Sequence, residues 1–406
     1  MRAQAKARKA DPKLLIVKHP VGGLNEEELS ERIGVASSEL KDAVGAKPAG
    51  RGTKRKEMTD LTESEVLEVG DTNLDAEQWN DYAAEQGWSD GMPLMIPTEE
   101  KVAAFVETCR GDNVPFLPMS PRRVIPTLQS IAANAVMAGC KAEYFPVVVS
   151  TVRALLNPDY NLHGTLATTH PCAPGVILNG PIRTQLGVNC GSNCFGQGNR
   201  VNATIGRAVQ LSLLNIGGAK PGELDRATQG SPAKYTFCFG ENEEESPWEP
   251  YHVRRGFEES DSVVTVLPCE PPHNINDHAS TTGVGILTTI AGTVSQPGSN
   301  LIYGTAPYTV VFGPEHAETV HRDGFTIEDI QQKLYEDSAV DVSRVSKENQ
   351  MNYENDREQT VVNGKYYLTR SPEDIQIMVA GGAGKHSAVI PTFGFTEAIS
   401  LRISNV

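Results

Sequence analysis

Residues 262–312 read SVVTVLPCEPPHNINDHASTTGVGILTTIAGTVSQPGSNLIYGTAPYTVVF, and they decide the fold. A β-branched run, SVVTVL (262–267), is followed by a helix-prone segment from His278 to Val294 and then by a second such run, YTVVF (308–312). β-branched and aromatic residues fit a pleated, half-buried surface, so both runs predict strands with a helix between them. KYTFCF (234–239) and IQIMVA (375–380) extend the pattern on either side. A further helix is expected from Thr326 to Tyr335, where Thr326 and Asp329 form an acidic relative of the capping box. Strands separated by helical segments predict an α/β fold with a mixed or mostly parallel sheet and flanking helices. Asp341 to Thr360 is polar and reads as a long surface excursion, and no internal repeat is visible.

Upstream, Thr98 is placed to cap a helix from Glu99 to Cys109, and Leu74 to Glu85 reads as a surface helix. LMI (94–96) reads as a short strand. Two apolar helices, Val124 to Ala138 and Tyr144 to Leu156, meet at Gly139, a residue suited to ending a helix. Between them and the strands lies the segment Asn161 to Gly218, which gathers His163, His170, Cys172, Cys190, Cys194 and a glycine-rich loop before a helix expected from Val201 to Leu214. Reactive side chains in loops on a rigid scaffold mark this as the floor of an active site.

The formal net charge of −15 over 406 residues argues against a nucleic-acid partner, which needs concentrated Lys and Arg. No stretch approaches the roughly 20 apolar residues of a membrane span. Seven cysteines without an export signal fit free thiols and a cytoplasmic location, and a homo-oligomer is expected.

Near the N-terminus, LLIV (14–17) leads through His19-Pro20-Val21-Gly22-Gly23 into the acidic, helix-prone segment Asn25 to Ile33, the end of an α/β unit. The run IVKHPVGGLNEEELSERI resembles the C-terminal end of the UGSC-like family, small α/β domains named for a Sec/Cys-Gly-Ser-Cys redox motif. DGMPLMIPTEEKV, NAVMAGCKAEYFPVV, HGTLATTHPCAP and AGGAGKHSAVIPTFG resemble the large module that accompanies such domains. The resemblance implies residues 1–44 as a fragment of the UGSC-like domain and 74–406 as the large module, and the Gly-, Pro-, Lys- and Arg-rich composition of residues 45–60 places a linker over 45–73 between them. The family's reactive Cys or Sec lies upstream of the matching segment, and this chain has no cysteine before Cys109. The resemblance therefore implies a thiol centre supplied by a separate UGSC-like protein or lost through a truncated start.

Four groups of residues carry candidate chemistry. Cys190 and Cys194, in Cys190-Gly191-Ser192-Asn193-Cys194, precede the Val201 helix, and a helix start lowers a thiol pKa toward the reactive thiolate. Their C-x₃-C spacing differs from the thioredoxin type, and two inert turn cysteines fit equally well. Gly196, Gly198, Arg200 and Arg183 could hold a carboxylate or phosphate at the same helix start, with a plain turn as the alternative. His163 and His170 flank LATT, read as a strand, while His273 and His278 bracket Asn274–Asp277. If these segments meet, four imidazoles suffice for a divalent metal; otherwise His170, or His278 beside Asp277, serves as a general acid or base. Lys385, His386 and Ser387 follow IQIMVA and the glycines 381, 382 and 384, where open α/β sheets bind ligands. Their order does not match a phosphate-binding G-x-x-x-x-G-K-[ST] loop.

The expected function is an enzyme on a small anionic molecule, in a reductive or thiol-exchange step with a UGSC-like Cys or Sec component. Arg183, Arg200 and Lys385 would hold the anion. A metal-dependent hydrolase or lyase using the histidines, and a non-catalytic partner subunit of a redox complex, are the alternatives.

Overall fold

Ala173–Asn179, Val263–Cys269, Tyr308–Phe312 and Ile375–Val379 are strands buried at every position. A strand covered on both faces reads as a continuous apolar run, and that is why YTVVF and IQIMVA were legible without alternation. The computed structural model describes residues 75–355 and 361–404, together with residues 27, 30, 31 and 33–38. The chain divides into two units, Met1–Glu63 and Ser64–Val406. In the first unit the described residues are helical, while the strand expected at 14–17 and the linker 45–73 lie outside the described residues.

In the second unit the strands in chain order are β1 (Ala173–Asn179), β2 (Cys238–Gly240), β3 (Val263–Cys269), β4 (His273–Asn276), β5 (Tyr308–Phe312), β6 (Val340–Asp341), β7 (Val361–Val362), β8 (Lys365–Tyr366), β9 (Ile375–Val379), β10 (His386–Ile390) and β11 (Ile399–Arg402). They form two four-stranded mixed sheets, ordered β11-β3-β1-β2 and β4-β10-β5-β9, and a small sheet β6-β8-β7. Alternate side chains sort the layers. Val176, Leu178, Val264 and Val266 pack on the helices Leu128–Ala138, Phe145–Leu155 and Arg200–Ser212. Val310, Phe312, Ile375 and Ile377 pack on Gly283–Val294, Pro314–Arg322 and Ile327–Asp337. Ile177, Leu267, Val311, Met378 and Ile390 share a third cluster between the sheets. The result is an α/β/β/α sandwich.

The two sheets repeat one plan. β1 pairs parallel with β2 and antiparallel with β3; β5 pairs parallel with β9 and antiparallel with β10. Ala173-Pro174-x₅-Gly180-Pro181 and Ala306-Pro307-x₅-Gly313-Pro314 give the two first strands the same frame. The fourth strands are exchanged: β4, which follows β3, joins β10, whereas β11, which follows β10, joins β3. This internal repeat corrects the sequence reading. Its glycines have a steric cause: a Cβ at Gly180 would meet the Asp261 carbonyl oxygen at 1.9 Å, and one at Gly313 would meet that of His386 at 2.2 Å.

Other expectations are corrected locally. LATT is no strand: Leu166 and Ala167 end the helix Leu162–Ala167, whose start is capped by Asn161, and Thr168 and Thr169 follow it in a bend; LMI forms no strand either. Asp341–Thr360 is not a featureless excursion, for it holds the helix Lys347–Asn355, with residues 356–360 outside the described residues. The helix before Gly139 starts at Leu128, where Thr127 forms a capping box with Ser130. Gly139 ends it in the left-handed conformation, as the sequence predicts.

Gly313→Ala is expected to cost ~2 kcal/mol or more, because the crowding atom is backbone and cannot swing away. Gly292→Ala, at an exposed helical position with open space around it, should instead gain about 0.5–1 kcal/mol. Urea unfolding of both variants checks this, and equal midpoints would remove the close approach as a constraint.

Candidate functional site

The exchange of fourth strands brings two distant segments side by side. In the β4–β10 pair His386 lies opposite Asn276 and Ser387 opposite Ile275. Successive strand residues point to opposite faces, so His386 and Ser387 do different things.

His386 is exposed, and its Nδ1 lies 2.9 Å from Asn274 Oδ1. An amide oxygen only accepts, so Nδ1 carries the proton and the Nε2 lone pair points outward. That Nε2 stands 3.1 Å from His278 Nε2, with the rings at 80°. In the uncharged pair His278 therefore donates its Nε2 proton to His386. Lys385 Nζ donates to the His278 carbonyl at 3.4 Å. Lys385 and Ser280, chain neighbours of the histidine pair, help line an open groove of about 600 Å³ with Glu244, Pro314, Glu315 and His316.

Ser387 faces the helices instead and is buried, which removes it from the substrate cradle. Its hydroxyl meets His316 Nδ1 at 2.8 Å, and His316 Nε2 meets the Asp277 carbonyl at 3.1 Å. A carbonyl fixes the proton on Nε2, so Ser387 donates to Nδ1 while accepting from Gly313 N–H. Burial holds the His316 pKa below its ordinary value. His316 is thus a neutral clamp on the Asp277 backbone. Asp277 is not the acid partner expected for His278. Burial alone would raise its pKa, but hydrogen bonds from Thr289, Ser280 and Ala279 outweigh that and bring it to about 2.

The cysteine loop abuts this region: Gly381 N–H donates to the Cys190 carbonyl, and a Cβ on Gly382 would meet Ser192 Oγ at 1.9 Å. The thiols are not activated as expected. Burial raises the Cys190 pKa despite Arg183 Nη1 at 3.8 Å from its Sγ, and it pushes buried Cys194 up to about 12. Neither sits at the helix start, because the helix begins only at Arg200 behind an Asn199 cap. All seven cysteines are free thiols.

Of the two arginines expected to hold an anion, Arg183 is buried and paired with carboxylates, while Arg200 is exposed and anchored on a backbone carbonyl. Arg183 donates to Glu243, Glu244 and the carbonyls of Gly180 and Glu241, and Arg200 donates Nε and Nη2 to the Gly139 carbonyl. Gly196 packs on the Asn193 side chain, where a Cβ would come within 2.3 Å, and Gly198 supplies a positive φ of 112°. Both glycines therefore serve the loop's own turn. The four histidines expected to share a metal are dispersed. His163 bonds Ser120, His170 pairs with Glu270 at 2.7 Å, His273 opens β4 and His278 meets His386. Among the described residues no three His, Cys, Asp or Glu side chains converge on a metal position. Lys385, His386 and His278 thus come together, as Arg183 and Cys190 do apart from them, and His316 and Asn274 are the ones sequence reasoning missed.

Beside Arg183 lies Glu241, fully buried, accepting from Asn179 Nδ2 and Tyr251 N–H on Oε2. Burial raises its pKa to about 7. Among the described residues no helix is long and apolar enough to cross a membrane. No family model, curated protein or solved structure matches this chain.

Because the folded-state pKa of Glu241 is raised, its contribution to stability is full below the ordinary carboxylate range and is lost as pH rises toward about 7. Glu241→Gln should therefore gain stability relative to the parent between pH 5 and 8. Urea midpoints of the two chains across that range test it, and a pH-independent difference would show that the carboxyl does not titrate there. Alkylation followed by mass spectrometry should find Cys194 unlabelled and Cys190 slower than a free thiol at pH 7.

Proposed function

We propose that this chain is an enzyme that acts on a small molecule by general acid–base catalysis, with His278 and His386 as the proton-transferring pair and Lys385 as the cation that holds the substrate's negative end. The single observation behind this reading is the 3.1 Å approach of two exposed Nε2 atoms, one of them oriented by Asn274, beside a groove that Lys385 lines. A base needs a fixed lone pair within reach of the proton it takes, and an acid needs a donor at the same place. His386 Nε2 supplies the first and His278 Nε2–H the second. Imidazole suits both roles near neutral pH.

Thiol exchange enters this reading only through a separate polypeptide. A Cys or Sec from a UGSC-like protein, as the N-terminal resemblance implies, would lose its proton to His386 Nε2, while the chain's own Cys190 and Cys194 stay protonated. The small anionic substrate keeps Lys385 as its partner, without the buried and paired Arg183.

The test is a turnover screen of small carboxylates and thioesters, with and without a small-molecule thiol, run on the parent chain and on His386→Ala, His278→Ala and Lys385→Ala. Loss of a general acid or base is expected to lower kcat about 10²–10⁴-fold. Lys385→Ala should act mainly on KM. An active parent whose rate survives both histidine substitutions would overturn the reading, and activity in none of the chains until a partner protein is added would favour the subunit alternative.

A further inference from the structure

We infer that His278 and His386 form a binding site for a single divalent transition-metal ion, with two protein ligands and open positions for water or an exogenous donor. The inference stands on the geometry of the pair and does not need the catalytic reading.

Metal–imidazole bonds run about 2.0–2.1 Å. Two ligand nitrogens 3.1 Å apart then subtend an angle of roughly 100° at a common ion, close to the tetrahedral value. The orientation also fits. Metal-bound histidines donate their other ring N–H to a carbonyl or carboxylate, which fixes the tautomer and raises ligand basicity. Asn274 Oδ1 does this for His386 at 2.9 Å. The frame is rigid, since His386 opens β10 and Asn274 lies on the paired β4, while the buried clamp of His316 on the Asp277 carbonyl fixes the backbone beside His278.

The donor set decides the class of ion. Two imidazoles without thiolate or carboxylate suit Cu²⁺, Ni²⁺ and Zn²⁺, and they do not suit Mg²⁺ or Ca²⁺, which take oxygen ligands. Asp277 cannot be a third ligand as it stands, because its carboxylate is occupied by Thr289, Ser280 and Ala279. Both histidines are exposed, so water reaches the remaining positions. On binding, the Nε2 proton of His278 shifts to its Nδ1, and both Nε2 lone pairs face the ion. Protonation of either ring competes with the metal, so affinity falls as pH falls. A bound ion also takes the lone pair that proton transfer would use, which makes metal and proton rivals for one nitrogen.

The experiment is calorimetric titration of the full chain with ZnCl₂, NiCl₂ and CuCl₂ in turn, at pH 7.5 and pH 5.5. One saturable site is expected at pH 7.5, weakened at least tenfold at pH 5.5. His386→Ala and His278→Ala should each weaken it at least tenfold, and Asn274→Ala should weaken it about 10–100-fold. His321→Ala, remote from the pair in sequence and on another element, should bind as the parent does. Thermal unfolding establishes that each variant is folded, and His386→Gln replaces His386→Ala if the latter is not. The inference is overturned if no site saturates near one equivalent. It is equally overturned if the folded His278 and His386 variants bind as tightly as His321→Ala.

Discussion

Two backbone hydrogen bonds, from Glu270 N–H to the Pro391 carbonyl and from Phe393 N–H to the Pro268 carbonyl, hold the ends of β3 and β10 against each other where the chain changes sheets. Everything on the candidate face depends on that crossing. Three residues after β3 the chain is already β4, paired with β10 of the opposite sheet, and β11 returns in the reverse sense. Neither sheet is complete without a strand from the other repeat, so neither has a reason to fold alone. Asn274 and His278 come from one repeat, and Lys385 and His386 from the other; the exchange alone makes them neighbours.

The repeats share a frame and differ in charge. Each Gly-Pro turn opens a helix, and the residue two places after the proline is Arg183 in the first and His316 in the second. A buried guanidinium needs carboxylates, and the loop after β2 supplies Glu243 and Glu244 for it. A buried neutral imidazole needs only one acceptor and one donor, which Asp277 and Ser387 provide. The loop after β9 therefore owes no charges to the interior. Its glycines lie close under the Cys190–Cys194 loop, and Lys385 is left to the groove. Arg183 also holds Glu244 below the ordinary carboxylate range through its hydrogen bonds, so the ion pair stays intact beside that groove. The polar chemistry of the first half is thus turned inward, and that of the second half outward.

How far the sequence could be read follows from the same physics. YTVVF coincides with β5, and the cap at Thr326 with Asp329 is formed as expected, because both depend on local residues. β1 escaped notice because APGVILN carries a proline and a glycine, which ordinarily argue against a central strand. β4, HNIN, is too short and polar to signal a strand, and with it went the pairing that builds the site. The repeat is confined to a few letters, since its steric need is met by one glycine per half. Lys385, His386 and His278 were recognisable as polar residues in loops, but their meeting was not. His316 gave no signal at all: a histidine in an amphipathic helix looks like any surface residue until its partners are known. The cysteines misled for the converse reason. Thiol reactivity depends on burial, and burial is a property of the third dimension.

The edge of the second sheet adds a last constraint. An unpaired edge strand is a template for association with other chains, and folded proteins blunt it with short length and polar side chains. β4 is such an edge: four residues long, with His273, Asn274 and Asn276 exposed and only Ile275 buried. The side chains that keep the edge soluble are the ones that give His386 its orienting oxygen and lead directly to His278. A more apolar β4 would pack better and aggregate more readily, and it would leave the Nε2 of His386 without a fixed direction. At this edge the demands of solubility and of a pre-oriented imidazole pair are met by the same residues.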